Sequence, residues 1–294
     1  MKHAKTQDRH LMSWKDALPA PIARSELIGT GSSEAGITVS RHWLADGSSV
    51  VSKVASGPTE ELPIEAEMLR YLSERTQLRV PEVHFSDASA IVIEWLPSGA
   101  RLSGTAEHEA ADALAALHGI SADRYGFDWP TVIAGIPQDN CWQDDWYTFY
   151  AEQRLVPLAR QCVTTGRARS DILKLTDKLA GRLPNLLDTP KPPGLVHGDL
   201  WSGNIIVSPD GFSGLIDPAI YFGDPEMDLA FGTLFGALGD GFFARYREHR
   251  PLSDDFFEVR RDIYNLWPLL VHVRLFGGHY EGQAMQVLER FAGA

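Results

Sequence analysis

His197-Gly198-Asp199-Leu200-Trp201-Ser202-Gly203-Asn204-Ile205-Ile206-Val207, with Leu215-Ile216-Asp217-Pro218 after it, is the stretch on which the reading of this chain turns. Asp199 and Asn204 stand five residues apart on what reads as one tight loop. Ile205-Ile206-Val207 then has the branched apolar character of a short strand. Pro209-Asp210-Gly211 is a turn signal, and Leu215-Ile216 returns as a second strand. A hairpin of that length brings Asp217 back beside Asn204. Side-chain oxygens of Asp199, Asn204 and Asp217 therefore converge at one end of the hairpin. Mg²⁺ prefers oxygen ligands and keeps waters and phosphate oxygens in its shell. Asn204 and Asp217 are thus the expected metal ligands. Asp199 is left as a base or orienting group for an attacking hydroxyl.

Outward from that loop the chain changes character. From Ser25 to Leu96 the runs SELIG, ITVSRHWL, SVVSKV and AIVIEWL carry strand signals. Asp46-Gly47 marks a hairpin turn, and one helix is expected at 60–75. Beyond Leu96-Pro97-Ser98-Gly99 the segments 104–118, 141–165, 170–187, 225–248 and 254–291 read mostly as helix. The pattern predicts an α+β chain: a small β-rich amino lobe, 1–97 with 1–12 loose, and a larger helical lobe, 98–294. No long linker separates them, so a cleft is expected between the lobes, where ligand sites are common.

The 294 residues carry 27 Lys and Arg against 39 Asp and Glu, a net charge of −12. That balance argues against a nucleic-acid partner, whose footprint is normally basic, yet a negative field attracts small cations. The two cysteines, Cys141 and Cys162, are too few for a disulfide framework and wrongly spaced for a zinc site. No apolar run approaches a membrane span, and the amino end lacks the apolar core of a signal peptide. A cytoplasmic chain with no membrane partner is expected, and a monomer.

The spacing Asp-x-x-x-x-Asn followed by a metal-binding Asp resembles the catalytic loop of protein-kinase-like phosphotransferases. The form His197-Gly198-Asp199 resembles small-molecule kinases of the aminoglycoside and choline kinase type. The fuller string HGDLWSGN, IDPAIYFGDPEMDLA after it, NCWQDDWYTFYAEQRL near 140–155 and RLFGGHY near 274–280 resemble the fructosamine-kinase (ketosamine-3-kinase) family. The resemblance covers nearly all of Ser25 to Arg290. It implies a bilobal kinase-like fold, ATP and Mg²⁺ as cofactors, and a small ketosamine or glycated amine as partner. It also implies phosphorylation of the ketose 3-hydroxyl, leading to deglycation.

The resemblance predicts further parts upstream. Gly29, Gly31 and Ser32 lie in a turn between strand runs, where small residues let backbone amides approach a phosphate; a plain β-turn fits the same residues. Strand alternation puts Val51 and Lys53 on one face, and an inward amine needs a partner or an anion, which fits the lysine that contacts ATP phosphates. Its partner is chosen by period. Glu65 falls in the apolar stripe with Leu69 and Leu72, whereas Glu67 falls on the polar side. The main chain of Glu94, Trp95 and Leu96 is the expected adenine edge. By resemblance, Asp228 holds the catalytic-loop backbone. His118 is expected as a satisfied core histidine, and His197 as a residue that orients its loop.

The acceptor side is less legible. Trp201 inside the loop is the best substrate-facing aromatic. Trp142 and Trp146, with Tyr147, Phe149, Tyr150, Asp144 and Asp145, offer aromatic faces and carboxylates suited to a sugar joined to an amine. Their helical spacing equally fits a helix core. A kinase for an aminoglycoside, choline or another hydroxylated amine would share the catalytic set, and a non-catalytic ATP-binding module is the remaining alternative.

Overall fold

The amino-terminal strands alternate apolar and polar residues, and each face finds its own cover. In the computed structural model, which describes residues 13–31, 34–187 and 192–293, five antiparallel strands form one sheet. They are β1 (Ile22–Thr30), β2 (Thr38–Leu44), β3 (Ser49–Val54), β4 (Val83–Ser86) and β5 (Ala90–Glu94), in the order β1-β2-β3-β5-β4. Helix α1 (Glu61–Arg75) connects β3 to β4. Val51, Ile91 and Ile93 face α1 and join the main core. On the opposite face Leu44, Val50 and Val92 pack under Trp14, Leu18 and Ile22. Strand β4 was not anticipated. Its sequence Val-His-Phe-Ser is only partly buried and too short to announce a period.

The rest is mainly helical: α2 (Thr105–His118), α3 (Trp146–Tyr150), α4 (Val156–Thr164), α5 (Asp171–Ala180), α6 (Leu183–Leu186), α7 (Glu226–Leu234), α8 (Asp240–His249), α9 (Arg261–Phe276) and α10 (His279–Phe291). Three two-stranded ribbons interrupt them. β6 (Thr131–Ile133) pairs with β7 (Ile136–Gln138), β8 (Gly194–Val196) with β11 (Tyr221–Gly223), and β9 (Ile205–Ser208) with β10 (Gly211–Leu215). The α+β, protein-kinase-like architecture is the expected one. Two of the long helices predicted from periodicity are broken by glycine. Gly236 (φ 70°) stands between α7 and α8, and Gly277 and Gly278 (both φ 63°) between α9 and α10.

Helices α4 and α9 are each preceded by one wide turn, at Ala151–Leu155 and Phe256–Arg260. Each wide turn carries a buried arginine. Arg260 pairs with Asp224 at 2.5 Å and with Glu226. Arg154 lies over the rings of Tyr221 (4.2 Å) and Phe149 (4.6 Å) and donates to Asn140 Oδ1 at 2.6 Å. Pro268 inside α9 has no N–H to give to the carbonyl four residues back. Tyr150's hydroxyl donates to the neighbouring Ile263 O at 2.8 Å and lies 3.4 Å from Tyr264 O, the carbonyl Pro268 leaves without its helical donor.

Two backbone hydrogen bonds fix the β9–β10 ribbon, the first of them to the amino lobe. Leu215 N donates to Arg79 O (2.9 Å), and Ala100 N donates to Val207 O (3.0 Å). Among the described residues no helix is long and apolar enough to cross a membrane.

Candidate active site

The β9–β10 ribbon returns Asp217 to the neighbourhood of Asn204, as its length requires: Ile216 N donates to Asn204 O at 3.1 Å. Asp217 is in the left-handed region (φ 55°), which a non-glycine residue occupies at a cost. Its Oδ1 lies 2.6 Å from Lys53 Nζ, and the same ammonium lies 2.7 Å from Glu65 Oε1. Glu65 is buried and Glu67 is exposed, as the stripe on α1 predicted. Burial alone would depress the lysine, but Asp217 and Glu65 together outweigh it and hold Lys53 charged, above its ordinary value. Burial also pushes Glu65 above the usual carboxylate range, against the pull of the ammonium.

Asp199 sits across from this pair on the loop that precedes β9. Asn204 Nδ2 donates to both Asp199 O (2.8 Å) and Asp199 Oδ2 (2.9 Å), which leaves Asn204 Oδ1 for another partner. Burial, then the charge of Asp217, raises Asp199 to about 7, with the Asn204 hydrogen bond pulling the other way. The loop itself is pinned from beneath. Asp228 accepts from the backbone N–H of His197 (2.6 Å) and of Gly198 (2.8 Å), and its Oδ2 lies 3.1 Å from His118 Nε2. Burial lowers His118, so it is neutral, with Nε2–H donating to Asp228 and Nδ1 accepting from Tyr246 (2.7 Å). Asp199 N donates weakly to His197 Nδ1 at 3.4 Å, in keeping with an orienting histidine. Gly198 is required here: its φ is 84°, and a Cβ would fall 2.1 Å from Ala219 O.

These groups line one cleft of about 750 Å³ between the sheet and the helices. Asp199, Asn204, Asp217, Lys53, Glu65, Glu94, Trp95, Leu96, Gly31 and Trp201 all reach it. Gly29 stays in β1 outside the lining, and Ser32 lies outside the described residues. Gly31 reaches the cleft, but its N–H is already donated to Ile37 O at 2.8 Å. That bond closes the hairpin between β1 and β2. At the other end, Trp95 N donates to Ser49 O (3.2 Å) and its ring lies 3.9 Å from the Arg41 guanidinium. Glu94 pairs with Arg79. Among the described residues, no hydrogen bond occupies Leu96 N–H.

Of the three aromatic residues expected to face an acceptor, only Trp201 lines the cleft. It is 39% exposed and meets Phe235 edge-on, with centroids 6.3 Å apart. Trp146 is 0% exposed, stacks on Tyr150 and donates to Tyr264 Oη at 3.1 Å. Trp142 stacks on Phe222 outside the cleft. Both readings are corrected: the helical position of Trp146 builds core, and Trp142, half-buried before α3, packs against that core. Asp145, two positions on from Gln143, caps α3 by accepting from Thr148 N (2.7 Å), and Asp144 pairs with Arg124.

The aromatic wall that does line the cleft beyond Trp201 comes from Phe235, His272, Phe276 and Tyr280. His272 lies 5.1 Å from Phe235 and 4.8 Å from Tyr280, centroid to centroid. Sequence reading missed this wall. Its available signal was the spacing of His272, Leu275 and Phe276 on one helical face, next to a string already noted at 274–280.

The two free oxygens, Asn204 Oδ1 and the second oxygen of Asp217, make a hard donor set at the cleft floor. No group of three or more His, Cys, Asp or Glu side chains suited to a metal occurs among the described residues. A partial shell of that kind suits a Mg²⁺ ion that keeps water and phosphate ligands, rather than one caged by protein.

The fructosamine kinase family model matches residues 19–293. A "probable ketoamine kinase" of Synechocystis sp. is 37% identical over 235 residues, 77% of each chain. Its Escherichia coli counterpart, named in the same words, is 35% identical over 78% of this chain and 80% of its own. A crystal structure from Thermobifida fusca, described as a "putative fructosamine-3-kinase", superposes with a TM-score of 0.82 at 32% identity, covering 93% and 94% of the two chains. An ADP-bound aminoglycoside phosphotransferase (TM-score 0.60, 14% identity, 92% and 94% coverage) shares the fold.

Proposed function

The chain belongs to the fructosamine kinase family, and from that premise we propose that it transfers the γ-phosphoryl group of ATP to the 3-hydroxyl of ketosamines. The observation that carries this reading is Lys53 Nζ between Glu65 and Asp217, in the one cleft that also holds Asp199 and Asn204. A fixed ammonium beside two oxygen ligands and a raised carboxylate is an arrangement for neutralising and aligning a phosphoryl group.

Phosphoryl transfer through a loose transition state asks mainly for positioning and charge neutralisation. Lys53, held by Glu65, meets the α- and β-phosphates. Leu96 N–H, with the main chain of Glu94 and Trp95 about it, meets the adenine edge. Asn204 Oδ1 and Asp217 would hold Mg²⁺, which supplies charge neutralisation and a template for the phosphate oxygens when bound. Asp199 accepts the hydrogen bond of the acceptor hydroxyl and takes its proton as the O–P bond forms. Trp201 and the wall of Phe235, His272, Phe276 and Tyr280 stack against the sugar and the amine substituent and keep water from the acceptor.

The phosphate sits on C3, the carbon beside the C2 carbonyl of the ketosamine: without help from the protein, loss of a C1 proton gives an enaminol that expels inorganic phosphate from C3, and water then hydrolyses the imine left at C1, freeing the amine and a 3-deoxy dicarbonyl sugar. The reaction therefore amounts to deglycation. A small glycated amine as partner, a cytoplasmic setting, a monomeric chain and a lobe boundary at 97/98 belong to the same proposal.

The test is an ADP-release assay with ATP and Mg²⁺ against a ribulosyl-amine, a fructosyl-amine, choline and an aminoglycoside, with Asp199→Asn as control. Ketosamine-dependent turnover that vanishes in the variant is the expected result. Turnover with choline or an aminoglycoside alone overturns the acceptor, and ADP binding without turnover on any acceptor favours a non-catalytic module.

A further inference from the structure

The β6–β7 ribbon touches both segments that present a carboxylate to Lys53. Its turn, Ala134-Gly135, has φ 47° and 78°, the pair of positive values of a tight two-residue hairpin. Val132, Ile133 and Ala134 line the cleft beside Glu61, Glu65 and Met68 of α1. At the other end of the ribbon, Gln138 is 1% exposed and its Nε2 donates to Ala219 O (3.2 Å) and toward Thr131 Oγ1 (3.3 Å). Ala219 stands two residues after Asp217, and its N–H donates to His197 O at 2.8 Å.

The direction of this amide is fixed by chemistry. A backbone carbonyl only accepts, so Gln138 must turn its NH₂ to Ala219, and its Oε1 is then buried with no partner. An orphaned acceptor costs stability, and an apolar side chain of the same length would avoid it. The glutamine also meets a need. Asp217 sits in a left-handed conformation that surrounding structure must over-determine. Before it, Ile216 N is tied to Asn204 O. After it, Ala219 is tied through its N–H to His197 and through its carbonyl to Gln138.

We propose that Gln138 is a positioning residue for the metal-holding Asp217, acting through Ala219 O from a ribbon that also braces the helix of Glu65. This rests on the kinase reading for its metal, but its test does not need turnover. The measurement is the Mg²⁺ dependence of ADP affinity by calorimetry, for the full chain and for Gln138→Met, which keeps the volume and removes both the donor and the orphaned acceptor. Loss of such outer partners typically weakens metal binding about 10-fold or more, so half-saturating Mg²⁺ is expected to rise about 10-fold while metal-free ADP affinity stays within about twofold. The thermal midpoint is expected to change little, because Ala219 O becomes the unpaired acceptor in place of Gln138 Oε1, and amide exchange at Ile216 and Ala219 is expected to quicken.

A fall in thermal midpoint with unchanged Mg²⁺ dependence would mean an ordinary packing role and would overturn the proposal. Should Gln138→Met fail to fold, Thr131→Val carries the test: it removes the hydroxyl that steadies the same amide at 3.3 Å and that also accepts from Asn140 Nδ2 at 2.8 Å, a donor that keeps Trp129 O as its other acceptor. It is expected to shift Mg²⁺ dependence in the same direction by less, and no shift overturns the proposal. A wild-type chain that binds Mg²⁺ and ADP yet phosphorylates no ketosamine would sink the acceptor reading and leave this comparison intact.

Discussion

The indole of Trp201 lies folded over Gly203: a Cβ at position 203 would come within 2.4 Å of two of its ring carbons. The loop therefore keeps an aromatic face at the cleft mouth only because position 203 has no side chain. Gly203→Ala should swing the ring toward solvent, where 39% exposure leaves it room. With a ring contact worth about 0.5–1.5 kcal/mol, acceptor KM is expected to rise roughly 2–10-fold, and ADP affinity to stay the same. Trp201→Ala should match it. A changed ADP affinity in either variant would show that the ring serves the nucleotide.

Lys53 has two carboxylate partners, and removing one leaves it to the other. In Glu65→Gln the ammonium is drawn to Asp217 alone, the oxygen needed for the metal. Hydrogen bonds to charged groups are worth about 1.5–3 kcal/mol, so kcat/KM for ATP is expected to fall about 10–100-fold. Steady-state kinetics at saturating acceptor read it directly. A loss confined to thermal stability would count against the pairing as a functional one.

Asp199, raised to about 7 by burial and by Asp217, must be ionised to accept the acceptor proton. Activity should fall below pH 7 with unit slope. Lys53 and a bound cation favour the ionised form, and Asp217 and Asp228 oppose it, so the limb should move to lower pH when Mg²⁺ and nucleotide are saturating. Asp199→Asn should cost about 10²–10⁴-fold in turnover with ADP affinity nearly intact. An unchanged acid limb in other active variants of the pocket, such as Trp201→Ala, is the control.

The same raised group has a consequence for folding. Its native proton affinity exceeds that of the unfolded chain, where the carboxyl titrates near about 4. The native state therefore binds the extra proton between about 4 and 7, and the stability this lends is present at low pH and lost as pH rises through 7. Asp199→Asn should accordingly be more stable than wild type at pH 8, by about 2–5 °C in thermal midpoint, and no more stable at pH 4. Equal shifts at both pH values would refute the linkage.

Arg260 neutralises Asp224 and Glu226 in the core beneath α7. Removing one partner of a buried pair typically costs about 3–5 kcal/mol because the remaining charge is stranded. Arg260→Met is expected to lose that much in urea unfolding. Burial already raises Glu226, so protonation should return part of the loss, and the deficit should be smaller at pH 5 than at pH 8.

Much of this site was legible because its chemistry imposes short spacings. Asp199 and Asn204 share one loop, Asp217 is a ribbon's length away, and helical period alone separated Glu65 from Glu67. What escaped did so for physical reasons. Trp146 carries the same period whether it faces core or cleft, and only the position of Tyr264 across α9 decides it. Phe235 and Tyr280 converge on His272 from separate helices whose breaks at Gly236, Gly277 and Gly278 are tertiary events. The β6–β7 ribbon, three residues per strand, is below the length at which alternation can be recognised. The wide turns at 151–155 and 256–260 each hold a buried arginine whose partners are distant in sequence.

The two ends of the cleft are fastened unequally. At the adenine end, beside the chain connection at 96–99, Leu215 donates a backbone hydrogen bond across it to Arg79 O, worth about 1 kcal/mol net. At the far mouth, the described residues reach across through Glu34 and Arg274, 3.2 Å apart with the carboxylate 88% exposed, a contact worth less than about 1 kcal/mol and weakened by salt. Thermal breathing should thus widen the molecule as a wedge, narrow where the base sits and broad where the acceptor enters. Acceptor and product then exchange through a mouth that salt loosens, while nucleotide departure waits on the tighter end.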